Sequence, residues 1–369
     1  MKQRMRASAL TMITATAAGG ALALLNQSCG PVSAGSEPSF AHFSGTALMG
    51  TPLALLRYRQ LSILQGGSTR ICIENLSKSI SNAEARLEVQ LAFAAWLKAS
   101  EASAAIWDEI SFESVSKCAR DGSNLAVIVL PDASGSNFDS REREKNFEQP
   151  TYSCELNGSS VSCRTNTMTL GWGGPAAVRY TQQSDGKLVQ VQVSRAPQAV
   201  MSPRVDWQPL SRALASETPN AEGGGGQNQW QQTLARLSTN AKPKLQELTA
   251  LVEGLAKAEK SARPDTVFKK ALDDFAKSGK SSVTNVSYRP SLPFFSTLLH
   301  ETGHIFGLDH ADNPATDSVT GFANGEKVGD GQQAKTDLSV MAYAIPYLYL
   351  TADDQAGARS AAQAGRVVP

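Results

Sequence analysis

Eleven consecutive residues, His300-Glu301-Thr302-Gly303-His304-Ile305-Phe306-Gly307-Leu308-Asp309-His310, restrict this chain more than any other stretch. The chain has four histidines, and three of them fall here. On an α-helix, residues four apart share a face, so His300 and His304 point the same way with Glu301 beside them. The helix must then stop. Gly307 is the residue able to take the left-handed conformation that ends it, turning the chain so that His310 returns as a third imidazole. Such a donor set suits zinc, and three protein ligands leave the fourth tetrahedral position for water, the mark of a catalytic rather than a structural site.

Beyond the spacing there is a resemblance. The eleven residues match the HExxHxxGxxH signature of the metzincin zinc peptidases at every fixed position. Ser339-Val340-Met341-Ala342-Tyr343 resembles the methionine turn that lies under the metal in that clan. The resemblance implies an α+β fold. It has a twisted, mostly parallel sheet with helices above a cleft and a small, mainly irregular and helical C-terminal subdomain. It implies a zinc-dependent endopeptidase, with His300, His304 and His310 as ligands, Glu301 as general base and then general acid, and Gly307 and Met341 as structural residues. Tyr343 stands where astacin- and serralysin-like relatives carry a tyrosine that binds zinc or the transition state. Matrixins usually lack that tyrosine, whereas the Asp353-Asp354 pair resembles theirs, and Ala311 matches none of the usual subgroup markers. Structural calcium is frequent among such relatives, and Asp312, Asp317 and Asp330 are its candidate ligands, although their loop lacks EF-hand spacing. The alternative from another class is a cell-surface binding protein or adhesin that keeps the scaffold without turnover. Zinc-dependent hydrolysis of something other than protein is a third reading.

The rest of the chain sets the context. Its 369 residues with 41% apolar content suit one large core or two modest ones. A net charge of +1 with no basic run argues against a nucleic-acid partner. Lys2, Arg4 and Arg6 precede an uncharged stretch, Ala7 to Leu25, that reads as an export signal over 1–28, diluted by Thr and Gly below the hydropathy of a spanning helix. Cys29-Gly30 after it resembles a bacterial lipoprotein cleavage site, with Cys29 as the lipid-modified residue and 29–54 as a tether. A cell-envelope lipoprotein is therefore expected, with secretion or a periplasmic location as the alternative, and with membrane contact only through that anchor.

Setting Cys29 aside leaves four cysteines, an even number in an oxidising compartment. Cys154 and Cys163 flank an Asn157-Gly158 hairpin signal and so pair across two strands, leaving Cys72 with Cys118; four buried free thiols are the alternative. An upper subdomain is expected over 55–204, with strands at Arg70–Glu74, Ile110–Val115 and Leu125–Leu130. A helix capped by Ser81 or Asn82 carries Val89, Phe93, Trp96 and Leu97 on its apolar side. Thr167–Tyr180, with Leu170-Gly171-Trp172-Gly173-Gly174, is a candidate for the sheet edge that pairs with extended substrate, its glycines admitting a peptide backbone, or else a plain turn. A helical insertion is expected over 205–285. Gly223–Gly226 reads as a flexible run, followed by stripes of Leu245, Leu248, Val252 and Leu255, then of Phe268, Leu272 and Phe275. The zinc helix and C-terminal subdomain take 286–369, with a capping box at Thr351–Asp354 opening the last helix.

Overall fold

This computed structural model describes residues 42–43, 46–47, 69–102, 104–119, 126–131, 147, 149–158, 160–165, 169–174, 178–182, 188–193, 198–215, 225–258, 273–306, 308, 322–323, 326–327, 339–341 and 347–366. Five strands form the main sheet: β1 (Thr69–Asn75), β2 (Ile110–Val115), β3 (Ala126–Leu130), β6 (Gly171–Gly174) and β7 (Gln198–Met201). Their spatial order is β2-β1-β3-β7-β6. The first four run parallel, while β6 is antiparallel to β7 and lies at the edge, with a neighbour on one side only among the described residues. Both faces of the parallel strands are covered, which is why β3 is the unbroken apolar run Ala-Val-Ile-Val-Leu rather than an alternating pattern. Period-two geometry sends Ile71, Ile73, Ile128, Ala199 and Met201 into the large core. Cys72, Val127, Val129 and Val200 face a smaller cluster with Phe147 and Trp172 on the opposite face. A Cys72–Cys118 disulfide lies in that smaller cluster.

Helix α1 (Asn82–Ala99) starts from a capping box in which the Ser81 hydroxyl accepts from the Glu84 amide at 3.2 Å, while the Ser81 amide donates to the Glu84 carboxylate at 3.0 Å. The expected apolar side of this helix turns out to be nearly its whole circumference: Leu87, Leu91 and Ala94 are buried together with Phe93 and Trp96. A helix apolar all round needs cover on both sides. One side is filled by α6 (Phe294–Ile305), joined to it by the Trp96 indole donating to the Leu299 carbonyl at 2.8 Å. The other side is filled by two helices of the expected insertion, α4 (Gly225–Ser238) and α5 (Leu245–Lys257), whose Leu234, Leu237, Leu248, Leu251 and Leu255 belong to the same core as Phe93.

Two expectations change here. Helix α4 begins inside the glycine run, because Trp230, Leu234 and Leu237 are packed down onto the core and Gly254 of α5 leaves room for the Trp230 ring. Phe275, expected on a second helical stripe of the insertion, packs outside the core that holds α4 and α5. It is buried against Tyr152, Cys154 and Val161 of a separate antiparallel sheet. That sheet has the order β9-β4-β5, from β4 (Thr151–Asn157), β5 (Ser160–Thr165) and β9 (Ser282–Ser287). Cys154 sits directly opposite Cys163 and is bonded to it, and Gly158 supplies the positive φ of +65° that the tight connection requires. Phe268 and Leu272 lie outside the described residues.

The excursion containing α4 and α5 is closed at its ends. Strand β8 (Asp206–Gln208) pairs in parallel with β10 (Ser291–Pro293), placing Trp207 opposite Leu292. Helix α6 starts at the next residue, Phe294, so the detour returns the chain to where it departed before α6 begins. A short α2 (Ala104–Glu109), α3 (Leu210–Ala215) and the C-terminal α7 (Ala352–Arg366) complete the elements used below. No helix among the described residues is long and apolar enough to cross a membrane.

Candidate metal centre on helix α6

Helix α6 buries almost every side chain it carries. His300, Glu301 and His304 are 1%, 0% and 0% exposed, in company with Phe294, Phe295, Leu298 and Leu299. Three polar groups in such surroundings need strong partners. The i, i+4 spacing brings the two imidazoles together, ring centroids 4.9 Å apart and planes at 86°. Ligand-capable atoms of His300, Glu301 and His304 all lie within 4.8 Å of one another, the one cluster of this kind among the described residues.

Each ring is oriented by a backbone carbonyl. His300 Nδ1 is 2.6 Å from the Val340 oxygen, and His304 Nδ1 is 2.7 Å from the Leu308 oxygen. A carbonyl can only accept, so the ring proton resides on Nδ1 and the lone pair on Nε2 in both. This is the arrangement in which an outer partner fixes the tautomer of a metal-binding histidine. Burial, helped by the neighbouring His304, pushes the His300 pKa down to about 3 against the opposing effect of the Val340 hydrogen bond, so the ring is neutral. Leu308 is itself held where α6 ends, its amide donating to the Gly303 carbonyl at 3.1 Å.

The carbonyl that orients His300 belongs to Ser339-Val340-Met341, and that segment hangs from one carboxylate. Asp354, wholly buried in the first turn of α7, accepts from the Ser339 hydroxyl at 2.6 Å, from the Val340 amide at 2.9 Å and from the Thr351 amide and hydroxyl, both at 2.8 Å. Desolvation raises its pKa and these hydrogen bonds oppose the rise. Asp354 therefore completes the capping box expected at Thr351 and also suspends the turn whose carbonyl sets His300. Met341 is buried beneath α6, where a Cβ on Gly303 would collide with its Sδ and come within 2.8 Å of Trp96 Cζ2.

Strand β6 closes the other side. A Cβ built on Gly171 would lie 2.5 Å from Glu301 Oε1, and one on Gly173 would lie 2.5 Å from Glu301 Oε2 and 3.0 Å from His304 Cβ. The carboxylate thus lies along the strand at the level where two side chains would otherwise stand.

Of the residues singled out in the sequence, His300, Glu301, His304 and Met341 come together, and Cys72–Cys118 and Cys154–Cys163 are bonded pairs. His310, Gly307, Tyr343, Cys29, Asp312, Asp317 and Asp330 lie outside the described residues. Sequence reasoning overlooked the carbonyls of Val340 and Leu308, which no side-chain pattern encodes. It noted Asp354 as a capping residue and as half of a matrixin-like Asp pair, and its distance along the chain from Val340 hid its grip on that turn. The contact of Gly171 and Gly173 with Glu301 was also missed. Its signal was there: alternate glycines weaken a strand and so mark a close approach on one face. Compared with known protein families, with curated proteins and with solved structures, the chain matches none.

Proposed function

We propose that this chain is a zinc-dependent endopeptidase of the metzincin type. The observation that carries the reading is the buried His300, Glu301 and His304 trio, with donor atoms within 4.8 Å and both rings presented as Nδ1–H tautomers. Two neutral nitrogen donors beside a carboxylate suit zinc better than the oxygen-seeking calcium or magnesium. His300 and His304 would hold the ion, with His310 as the third ligand the sequence offers. When bound, zinc would supply a Lewis acid and a water made acidic near neutral pH.

The remaining work falls to the chain. Glu301 accepts the proton of the attacking water and delivers it to the departing amide nitrogen, a task that needs one carboxylate held beside the reacting atoms throughout. Burial keeps that carboxylate in a low-dielectric setting where its charge acts strongly. The edge of β6 offers backbone groups for an extended peptide to pair with, which favours a protein or peptide substrate and tolerates many sequences. Tyr343 as a donor to the transition state and Cys29 as an export anchor remain parts of the same reading.

The test is cleavage of casein by the purified protein, with and without a chelator, beside Glu301→Ala. The expected result is chelator-sensitive cleavage that zinc restores, and loss of cleavage with retention of zinc in the variant. Full activity in Glu301→Ala would refute the assigned role. A zinc-loaded wild-type protein inert toward casein and a peptide library would favour the binding-protein alternative.

A further inference from the structure

We propose that Gly171 and Gly173 are positioning residues that set where the Glu301 carboxylate lies, and that their small size is demanded by Glu301 rather than by a passing peptide. The two glycines are two apart on β6, so their missing side chains share one face of the strand. That face is turned to α6: Cβ atoms there would come within 2.5 Å of Oε1 and Oε2, nearer than non-bonded atoms can approach. Trp172 between them packs on the opposite face, with Cys72, Val127 and Val200. The strand is held laterally by its register with β7, Gly171 opposite Met201 and Gly173 opposite Ala199, both partners fully buried. Pairing along one edge and Trp172 on the far face both resist its withdrawal from α6. A methyl group at Gly171 must therefore move the carboxylate, whereas one at Gly173 meets the carboxylate together with the Glu301 carbonyl oxygen at 2.9 Å and His304 Cβ at 3.0 Å.

Glycine in a strand interior weakens the strand, and an edge strand with glycine at three of its four positions is poor β-sheet sequence. The compensation is that the carboxylate lies flat along the backbone, fixed between the strand and the two imidazoles. A base displaced by about 1 Å forfeits on the order of a hundredfold in rate. The catalytic consequence rests on the peptidase reading; the steric coupling does not.

Two measurements separate them. The first uses metal-free protein with no substrate: thermal midpoints of wild type, Gly171→Ala, Glu301→Ala and the double variant. Gly171→Ala, whose added methyl has Glu301 side-chain atoms as its nearest neighbours, should lower the midpoint by roughly 2–5 °C in the wild-type background, and by less than about 1 °C where Glu301 is already Ala. Gly173→Ala, taken through the same cycle, should lose less where Glu301 is Ala but keep part of its loss, because the carbonyl oxygen of residue 301 at 2.9 Å and His304 Cβ at 3.0 Å face its added methyl in either background. If either glycine variant is insoluble alone and soluble with Glu301→Ala, the coupling is equally supported. Equal losses in both backgrounds, or insolubility in both, would overturn the proposal.

The second measurement is steady-state peptide cleavage by zinc-loaded protein. Here kcat should fall at least about tenfold in Gly171→Ala, with KM within about threefold and zinc content unchanged. A raised KM at native kcat would overturn the proposal in favour of glycines that serve substrate approach. Were the wild type to cleave nothing, the peptidase reading would fall, while the thermal cycle would still decide the coupling.

Discussion

Replacing Glu88 by glutamine should remove a pH dependence that the wild-type fold carries in one side chain. Glu88 lies in the middle of α1, 2% exposed. Its Oε1 accepts from the Leu210 amide at 2.7 Å, while its Oε2 has no hydrogen-bond partner. Burial, and to a smaller degree the nearby Glu84, push its pKa up to about 8 from 4.5, against the pull of the Leu210 hydrogen bond. Between those two values the folded chain keeps a proton that the unfolded chain has released, so stability falls as pH rises. One proton over that window is worth about 1.4 kcal/mol per pH unit, or about 3–5 kcal/mol across it. The glutamine side chain would keep an acceptor for the Leu210 amide and stay neutral throughout, while its amide nitrogen at the unpartnered position adds a constant penalty of about 1–2 kcal/mol. The assay is urea unfolding of the metal-free, disulfide-intact protein from pH 5 to 9, taken as the variant-minus-wild-type difference so that all other groups cancel. That difference should climb by about 3–5 kcal/mol in favour of the Glu88→Gln variant as the pH rises. A difference flat with pH, or falling, would refute the assignment of a neutral buried acid.

Asp354→Ala deprives the Val340 amide and the Ser339 and Thr351 hydroxyls of their acceptor in a buried turn; unfolding experiments should show a loss of about 3 kcal/mol or more. Zinc titration of the same variant should also show weaker binding, since the Val340 carbonyl that orients His300 is no longer held; native affinity would contradict that link. Gly303→Ala drives a methyl group into Met341 and the Trp96 ring and should cost about 1–3 kcal/mol, read as a lowered urea midpoint. The Cys72–Cys118 bridge closes 46 residues, so the paired Cys72→Ser and Cys118→Ser substitutions should cost about 4 kcal/mol by loop-closure entropy, and an unchanged midpoint would argue against the bond.

How much of this was legible in the sequence depended on whether the determinant was local. His300, Glu301 and His304 declare themselves because helical spacing alone places them together, and the residues on either side of Asn157-Gly158 do so because a tight turn leaves few registers. The capping residue of α1 was readable for the same reason to within one position, Ser81 or Asn82, and the Glu84 capping box settles it on Ser81. Helix α4 was not. Its glycine-rich start contradicts intrinsic propensity, and burial of Trp230, Leu234 and Leu237 against α1 overrides it, a tertiary effect that no window of sequence contains. Asp354 was half readable: its capping role is local, whereas the grip on Val340 spans chain that comes back only after folding. The glycines of β6 were noticed as an anomaly and given another partner, because which face of a strand meets which helix is decided by sheet order.

The central claim is that His300, His304 and His310 grip a single zinc ion beside Glu301, and metal stoichiometry tests it most directly. Wild-type protein, loaded with zinc and dialysed against metal-free buffer, should retain roughly one zinc per chain by mass spectrometry, as should Glu301→Ala, while His304→Ala, folded by circular dichroism, should retain almost none. A wild-type protein that leaves dialysis without metal, or a His304→Ala variant that keeps it, would contradict the account.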